Sequence, residues 1–342
     1  MAFGDYKAPG YIYAAAGSIK LFGLSEFAIR FPSALAGTLL VLVAFFLVRE
    51  FGFTDSLGYW VTGLLAVSPW ALQFSRGAFE ANLATFFSGL GIYLFLRALR
   101  TKSFFTFAFC FLTFALSMYT FNTHRVFVPL ILATLGVIFY REILPQWKRF
   151  LPGVLIFIFL GFPLSRYSLT REAQLRFQEV AWVNDSAPIE TANSRINLDG
   201  NTFWSNILHN RRFVYAGEFL QHYTDNFKGS FLFYSGDVNK RLSIQSFGEM
   251  YWLDFPFFVA GLFYLLKNWR KKSLLVIFAW FLLAPIPAAL ARETPHALRT
   301  LNILPIPQLI VALGIVQFVR WRWLIAICYF LFSIFYLRDY YF

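Results

Sequence analysis

Long stretches almost free of charge alternate along this chain with short clusters of Arg and Lys. The apolar stretches are residues 31–48, 56–75, 81–96, 103–123, 126–140, 150–165, 250–266, 273–291, 300–319 and 323–337. A helix needs ~20 residues to cross ~30 Å of hydrocarbon, and flanking Arg and Lys shorten that requirement by snorkelling. The pattern predicts an all-α polytopic membrane protein with about ten transmembrane helices, the shortest runs being equally readable as re-entrant or interfacial helices. One long polar segment interrupts the series. The chain therefore divides into residues 1–30, read as the remainder of a first outer loop; 31–165, six helices; 166–250, a large outer-face loop or cap; and 251–342, four helices.

Composition supports lipid contact. Of 342 residues, 58% are hydrophobic and 14% charged, and 45 are Phe, whereas soluble domains carry roughly a quarter charged residues. Cys110 and Cys328 both lie in apolar runs, which excludes a disulfide framework and a zinc site of cysteine spacing. The net charge of +12 raises the question of nucleic acid, but its distribution argues against it. Segment 166–250 holds nine basic and nine acidic residues, so the excess flanks the spans, where Lys and Arg set orientation.

Alternate connections differ in that respect. One set carries Arg49, Arg97, Arg100, Lys102, Arg141, Lys148, Arg149, Lys267, Arg270, Lys271, Lys272, Arg320 and Arg322; the other carries Arg76, Arg125, Arg292, Arg299 and Arg338. Thirteen against five makes the first set cytoplasmic and the second outer. The long segment is exempt from the rule and is read as lying outside. Residues 1–30 then also lie outside with no preceding hydrophobic helix to export them, which leads to the expectation that a first transmembrane helix is missing, the alternative being a genuine N-out first span.

The outer connections gather reactive side chains: Asp5 and Lys7, Arg76 and Glu80, His124 and Arg125, then Arg292, Glu293, His296 and Arg299. A carboxylate can act as general base toward a hydroxyl, and Arg, Lys and His donate charged hydrogen bonds to phosphate. That inventory suits group transfer from a phosphate-linked donor at the interface. Blander readings accompany each residue. Arg76 and Glu80, four apart, form a salt bridge at a helix end equally well; His124 reads as an interfacial anchor; Asp254 reads as a site residue or as a carboxylate favoured at a helix N-terminus. His296 and Arg299, three apart, are expected to share one helical face. Trp and Tyr at span ends form an aromatic belt. Segment 166–250 is too long for a plain connection. It mixes polar residues with Phe203, Trp204, Tyr215, His222, Phe231, Phe233 and Tyr234, and its Ser235-Gly236-Asp237 stretch predicts a tight turn.

The opening GDYKAPGYIYAAAGSIKLFGLSEFAIRFPSALAG resembles the end of the first outer loop and following helix of the GT-C membrane glycosyltransferases. The likeness is greatest to bacterial relatives of protein O-mannosyltransferase and lipid A aminoarabinose transferase. Lys7, Pro9, Tyr11, Glu26, Arg30, Pro32 and Ser33 fill the family's motif positions, with Ala8 in place of one proline. SRGAFEANLATFF, FNTHRVFVPL, FLFYSGDVNKRLSIQSFGEMY and RETPHALRTLNILP are similar to other recurrent segments.

The resemblance implies transfer of a sugar from a polyprenyl-phosphate-linked donor to a lipid, glycan or protein acceptor at the outer face, in a multi-pass protein of the bacterial plasma membrane. It implies Glu80 as the catalytic carboxylate present in this chain, and donor-phosphate binding by Lys7, Arg125, His296 and Arg299. Supporting roles fall to Asp5, Arg76, His124, Asp237 and Arg241. The family's principal acidic motif follows its first transmembrane helix, and this chain starts after it, so the expectation is of little or no activity for the chain as given. A divalent metal is compatible with the family, although no cluster here has ligand spacing. The rival classes are a lipid or solute transporter, which would favour mid-span charges and a repeat, and a non-catalytic homologue.

Overall fold

The computed structural model describes residues 7–182 and 185–341. Its first helices are α1 (Pro9–Phe22), α2 (Glu26–Glu50), α3 (Asp55–Val67), α4 (Pro69–Arg76), α5 (Glu80–Thr101), α6 (Phe104–Thr120), α7 (His124–Ile138), α8 (Tyr140–Ile143) and α9 (Trp147–Ser168). The long polar segment folds as α10 (Arg171–Val180), α11 (Ala187–Leu198), α12 (Phe203–Leu208) and α13 (Arg211–Asp225), followed by an irregular stretch. Then come α14 (Asp254–Lys267), α15 (Lys272–Leu283), α16 (Ile286–Ala289), α17 (Ile306–Ile315) and α18 (Arg322–Tyr341). Among the described residues the sole strand-like pairing is a bridge between Ala181 and Ala291. The all-α reading holds.

Each predicted apolar stretch contains a helix, but fewer than ten are unbroken spans. Among the described residues, five helical segments are long and apolar enough to cross a bilayer: Glu26–Glu50, Glu80–Thr101, Tyr140–Ser168, Lys272–Ala289 and Arg322–Tyr341. Local chemistry explains where helices start and stop. The Ser25 hydroxyl accepts from the Ala28 amide at 3.2 Å, capping α2, a contact worth about 1 kcal/mol. Stretch 56–75 breaks at Ser68 because Pro69 opens α4 and proline cannot continue a hydrogen-bonded helix. Backbone groups freed in an apolar interior must find partners, and here they do. The Tyr251 hydroxyl donates to the Val67 carbonyl at 2.6 Å, and the Trp70 amide donates to the Glu249 carbonyl at 3.1 Å. Gln308 Nε2 donates to the Ser68 hydroxyl at 3.1 Å.

Helix exposure separates lipid-facing from interior elements. All ten residues of α17 are buried, as expected of a helix apolar on every side. It crosses α14 at very close range: a Cβ on Gly261 would strike the Ile310 carbonyl, and one on Gly314 would strike that of Phe257. Without water to drive association inside lipid, such backbone contact between small residues supplies the packing. By contrast α9 and α18 leave Ile158, Phe159, Phe162, Phe330, Ile334 and Phe335 exposed, the apolar surface that the Phe-rich composition anticipates.

The polar segment is docked, not loose. Trp182 Nε1 donates to the Ala289 carbonyl at 2.7 Å, and the Tyr223 hydroxyl to the Leu282 carbonyl at 2.7 Å. Arg292 holds the carbonyls of Glu179 and Gln178 and pairs with Asp185. These bonds place α10 over the end of the bundle at which α5 and α7 begin.

Candidate functional site

A cavity of about 560 Å³ lies beneath α10 at that end. Its walls come from the start of α5, the turn into α7, the end of α9, α10 itself, and the connection from α16 to α17. Lys7, Glu80, Arg125, His296 and Arg299 all line it, so residues as far apart in sequence as Lys7 and Arg299 converge. Among the described residues, Glu80 is the one carboxylate of the lining, against three cations. Such a wall favours an anionic ligand.

Each side chain is positioned by identifiable contacts. Asn82 Nδ2 donates to the Ser33 carbonyl at 2.8 Å, and the Ser33 hydroxyl donates to the Phe74 carbonyl at 2.9 Å. This buried knot ties α2, α4 and α5 together two residues from Glu80. Lys7 Nζ lies 3.3 Å from Glu80 Oε1. Arg125 Nε donates to the Met118 carbonyl at 3.3 Å, and its guanidinium lies 5.5 Å from the Tyr167 ring centre, an attractive cation–π arrangement.

His296 and Arg299 sit on a turn, not on the single helical face expected. The turn is organised from behind by Asp237. One Asp237 oxygen accepts the Ala297 amide at 2.7 Å and the other accepts the Asn239 amide at 2.8 Å. The Asp237 amide in turn donates to Glu249 Oε1 at 3.1 Å. The predicted turn at Ser235-Gly236-Asp237 is present: Gly236 has φ of 67°, and a side chain there would meet Ser243.

Burial controls the charge states behind the cavity. Desolvation, reinforced by the nearby Arg299 guanidinium, holds His296 down at about 3, so its ring is neutral. Its Nδ1 lies 3.8 Å from Asp237 Oδ2, too far for a hydrogen bond. Burial pushes the Asp237 carboxyl up, opposed by its two amide donors and by Arg299. Glu249 is driven well above the usual carboxylate range by burial and then by the charge of Asp237.

The other expected residues are placed elsewhere. Asp5 lies outside the described residues. Arg76 does not pair with Glu80; its guanidinium stacks 4.7 Å from the ring centres of both Tyr340 and Tyr341. His124 is buried between Phe121 and Phe127 and is not part of the cavity lining. Arg241 is exposed and contributes its backbone carbonyl to Gln73. Asp254 accepts the Tyr251 amide at 2.8 Å at the start of α14 and the Tyr329 hydroxyl, which bears out the helix-terminus reading. Polar contributors that escaped sequence reasoning include Gln174 and Gln178 of α10, and Glu249. The spacing of four between the two glutamines was the signal, since it puts both amides on one helical face. Among the described residues no three His, Cys, Asp or Glu side chains gather as metal ligands.

This architecture is the fold of the GT-C membrane glycosyltransferases, as the sequence resemblance implied. Residues 6–166 match the family of dolichyl-phosphate-mannose-protein mannosyltransferases. Among solved structures, the chain is similar to ArnT from Cupriavidus metallidurans bound to undecaprenyl phosphate, with TM-score 0.54 and 16% identity over 90% of this chain and 49% of that one. It is also similar to the archaeal oligosaccharyltransferase AglB from Archaeoglobus fulgidus in complex with an inhibitory peptide and a dolichol-phosphate. There the TM-score is 0.52 at 13% identity, covering 97% of this chain and 46% of that one. The chain thus spans about half the length of the solved structures it matches. No curated protein sequence is significantly similar to it.

Proposed function

We propose that the chain binds a polyprenyl-phosphate-linked sugar in the cavity beneath α10 and transfers the glycosyl group to an acceptor hydroxyl or amide at the outer face of the membrane. The observation that carries this reading is the convergence of Lys7, Arg125 and Arg299, with Glu80 as the single carboxylate of the lining among the described residues, on one cavity at the end of an apolar bundle. Support comes from the family match and from two structural neighbours, one bound to undecaprenyl phosphate and the other to a dolichol-phosphate.

In this mechanism the acceptor attacks the anomeric carbon while the bond from that carbon to the phosphate oxygen breaks. The bonding pair leaves with the lipid phosphate, and the acceptor proton passes to a carboxylate. Lys7, Arg125 and Arg299 stabilise the departing phosphate, whose charge is felt strongly where water is scarce. Neutral His296 offers a hydrogen bond without adding charge. Glu80, held by Lys7, orients the acceptor or takes its proton.

The test is turnover of polyprenyl-phosphate mannose and of its pentose counterpart by the purified chain, alongside binding of undecaprenyl phosphate. Retention of undecaprenyl phosphate that is weakened by Arg125→Ala and Arg299→Ala is the expected result. Equal binding by wild type and both variants would remove the basis for this assignment.

A further inference from the structure

A second charged cavity, of about 370 Å³, lies at the other end of α2 and α5. Its lining includes Arg49 and Glu50 from the end of α2, Phe53 from the connection into α3, Asp55 at the first position of α3, and Arg97 and Arg100 from the last turns of α5. Twenty residues separate Glu80 from Arg100 on one continuous helix, which is ~30 Å at 1.5 Å per residue. That distance matches the hydrocarbon thickness. The second cavity therefore sits at the membrane boundary opposite the first.

Its charges are arranged around one buried carboxylate. The Glu50 side chain is only 6% exposed, and its Oε1 takes Arg100 at 2.7 Å and Arg97 at 3.4 Å. Arg49 pairs with Asp55 at 3.2 Å. A guanidinium carries five N–H donors in a rigid fork, and these pairings engage only part of each. All three arginine side chains remain between 44% and 66% exposed. Three guanidiniums against two carboxylates leave one positive charge in excess, while Phe46 and Phe53 supply an apolar wall. A network built only to join helices would be neutral and closed; this one is open and cationic.

We propose that this cavity binds a singly charged phosphodiester, the headgroup of an anionic phospholipid of the leaflet opposite the first cavity. Arg fits this task because its fork matches phosphate oxygens in pairs. Basic pockets between helix ends at a membrane surface gain further from the negative potential of anionic lipid. Glu50 acts as the floor that holds Arg97 and Arg100 in place. The inference is independent of what the first cavity transfers.

The full chain in nanodiscs of equal phosphatidylcholine and phosphatidylglycerol, analysed by native mass spectrometry, tests it. Wild type should retain phosphatidylglycerol in preference to phosphatidylcholine. Arg49→Gln removes the excess charge at a pair already more than half exposed, so folding is spared, and retention should fall about tenfold. Glu50→Gln/Arg97→Gln/Arg100→Gln, which leaves no buried charge without its partner, should abolish the preference. In discs of phosphatidylcholine alone with added inorganic phosphate, phosphate adducts lost in Arg49→Gln would assign the same site to a soluble phosphate. Equal retention of the two lipids with no phosphate adduct, or a preference unchanged in both variants, overturns the proposal.

Discussion

The two ends of α5 carry two cationic cavities built on opposite plans. The one at Glu80 draws its lining from segments scattered between Lys7 and Arg299, and the groups behind it are deeply buried, with Glu249 2% and Asp237 4% exposed. The one at Arg100 is assembled from just two stretches, the end of α2 with the start of α3 and the end of α5, and its arginines stand half in water. The physical consequence concerns the strength of charge. Desolvated groups interact through a low effective dielectric and resist screening, whereas exposed pairs are weakened by salt. The first arrangement suits stabilising charge that develops during a reaction; the second suits reversible capture of an anion.

The largest expected effect falls at the first cavity. Glu80→Gln keeps the shape but removes the lone carboxylate of the described lining, and glycosyl transfer should drop ~10²- to 10⁴-fold while undecaprenyl phosphate still binds. Transfer within twofold of wild type would mean that the proton goes elsewhere. Arg299→Ala should lower transfer ~10²- to 10³-fold and also weaken undecaprenyl phosphate. Raised salt should then reduce phospholipid capture at the second cavity more than it reduces donor binding at the first. Equal salt sensitivity would erase the contrast between the cavities.

A smaller effect is expected at Asp237. Its two oxygens accept the amides of Ala297 and Asn239, and asparagine keeps only one acceptor oxygen. Asp237→Asn should loosen the turn bearing His296 and Arg299 and cost about tenfold in transfer. The loss should appear in KM as well as kcat, since the positions of the phosphate ligands move. A change confined to thermal stability would show that Asp237 holds the fold without shaping the cavity.

The smallest effect is a pH signature. Glu249 has a raised value in the folded chain, so its contribution is fully present below its ordinary 4.5 and is lost as pH rises through the raised value. Glutamine mimics the protonated acid and can still accept the Asp237 amide. The melting temperature of Glu249→Gln should therefore pull ahead of wild type by a few degrees as pH rises above the ordinary 4.5. His296 has the reverse sign. Held down at about 3, it contributes fully above 6.5, and that contribution is lost as pH falls toward 3. The His296→Asn variant should lose less stability than wild type in that window, and parallel melting curves would show that burial does not govern these groups.

Much of the molecule is legible in its sequence. Runs such as 31–48 and 81–96 declare helices because a continuous apolar segment satisfies its own backbone groups in lipid as a helix, whereas a barrel strand is short and alternates apolar with polar residues. Lys7, Glu80, Arg125, His296 and Arg299 stood out because charge beside an apolar span needs a reason. Other features were illegible for equally physical causes. The interruption at Ser68 was marked by Pro69, but its repair by Tyr251 and Glu249 depends on a segment some 180 residues away. Arg76 had a plausible partner four residues on, yet the tyrosines at the end of α18 offered π faces at shorter reach than any local pattern reveals.

By itself, then, the sequence determined an all-helical membrane protein, the apolar stretches that contain its helices, and the chemical kinds of residue available at their ends, since periodicity, hydropathy and charge are properties of short windows. Tertiary structure decided which of those residues meet. Only folding put Lys7 against Glu80, set Asp237 behind His296, turned Arg76 toward Tyr340 and Tyr341, and closed Glu50 between Arg97 and Arg100. The reason is that electrostatic and hydrogen-bond energies depend on separation and burial in space. Residues distant along the chain acquire those quantities only when the helices pack.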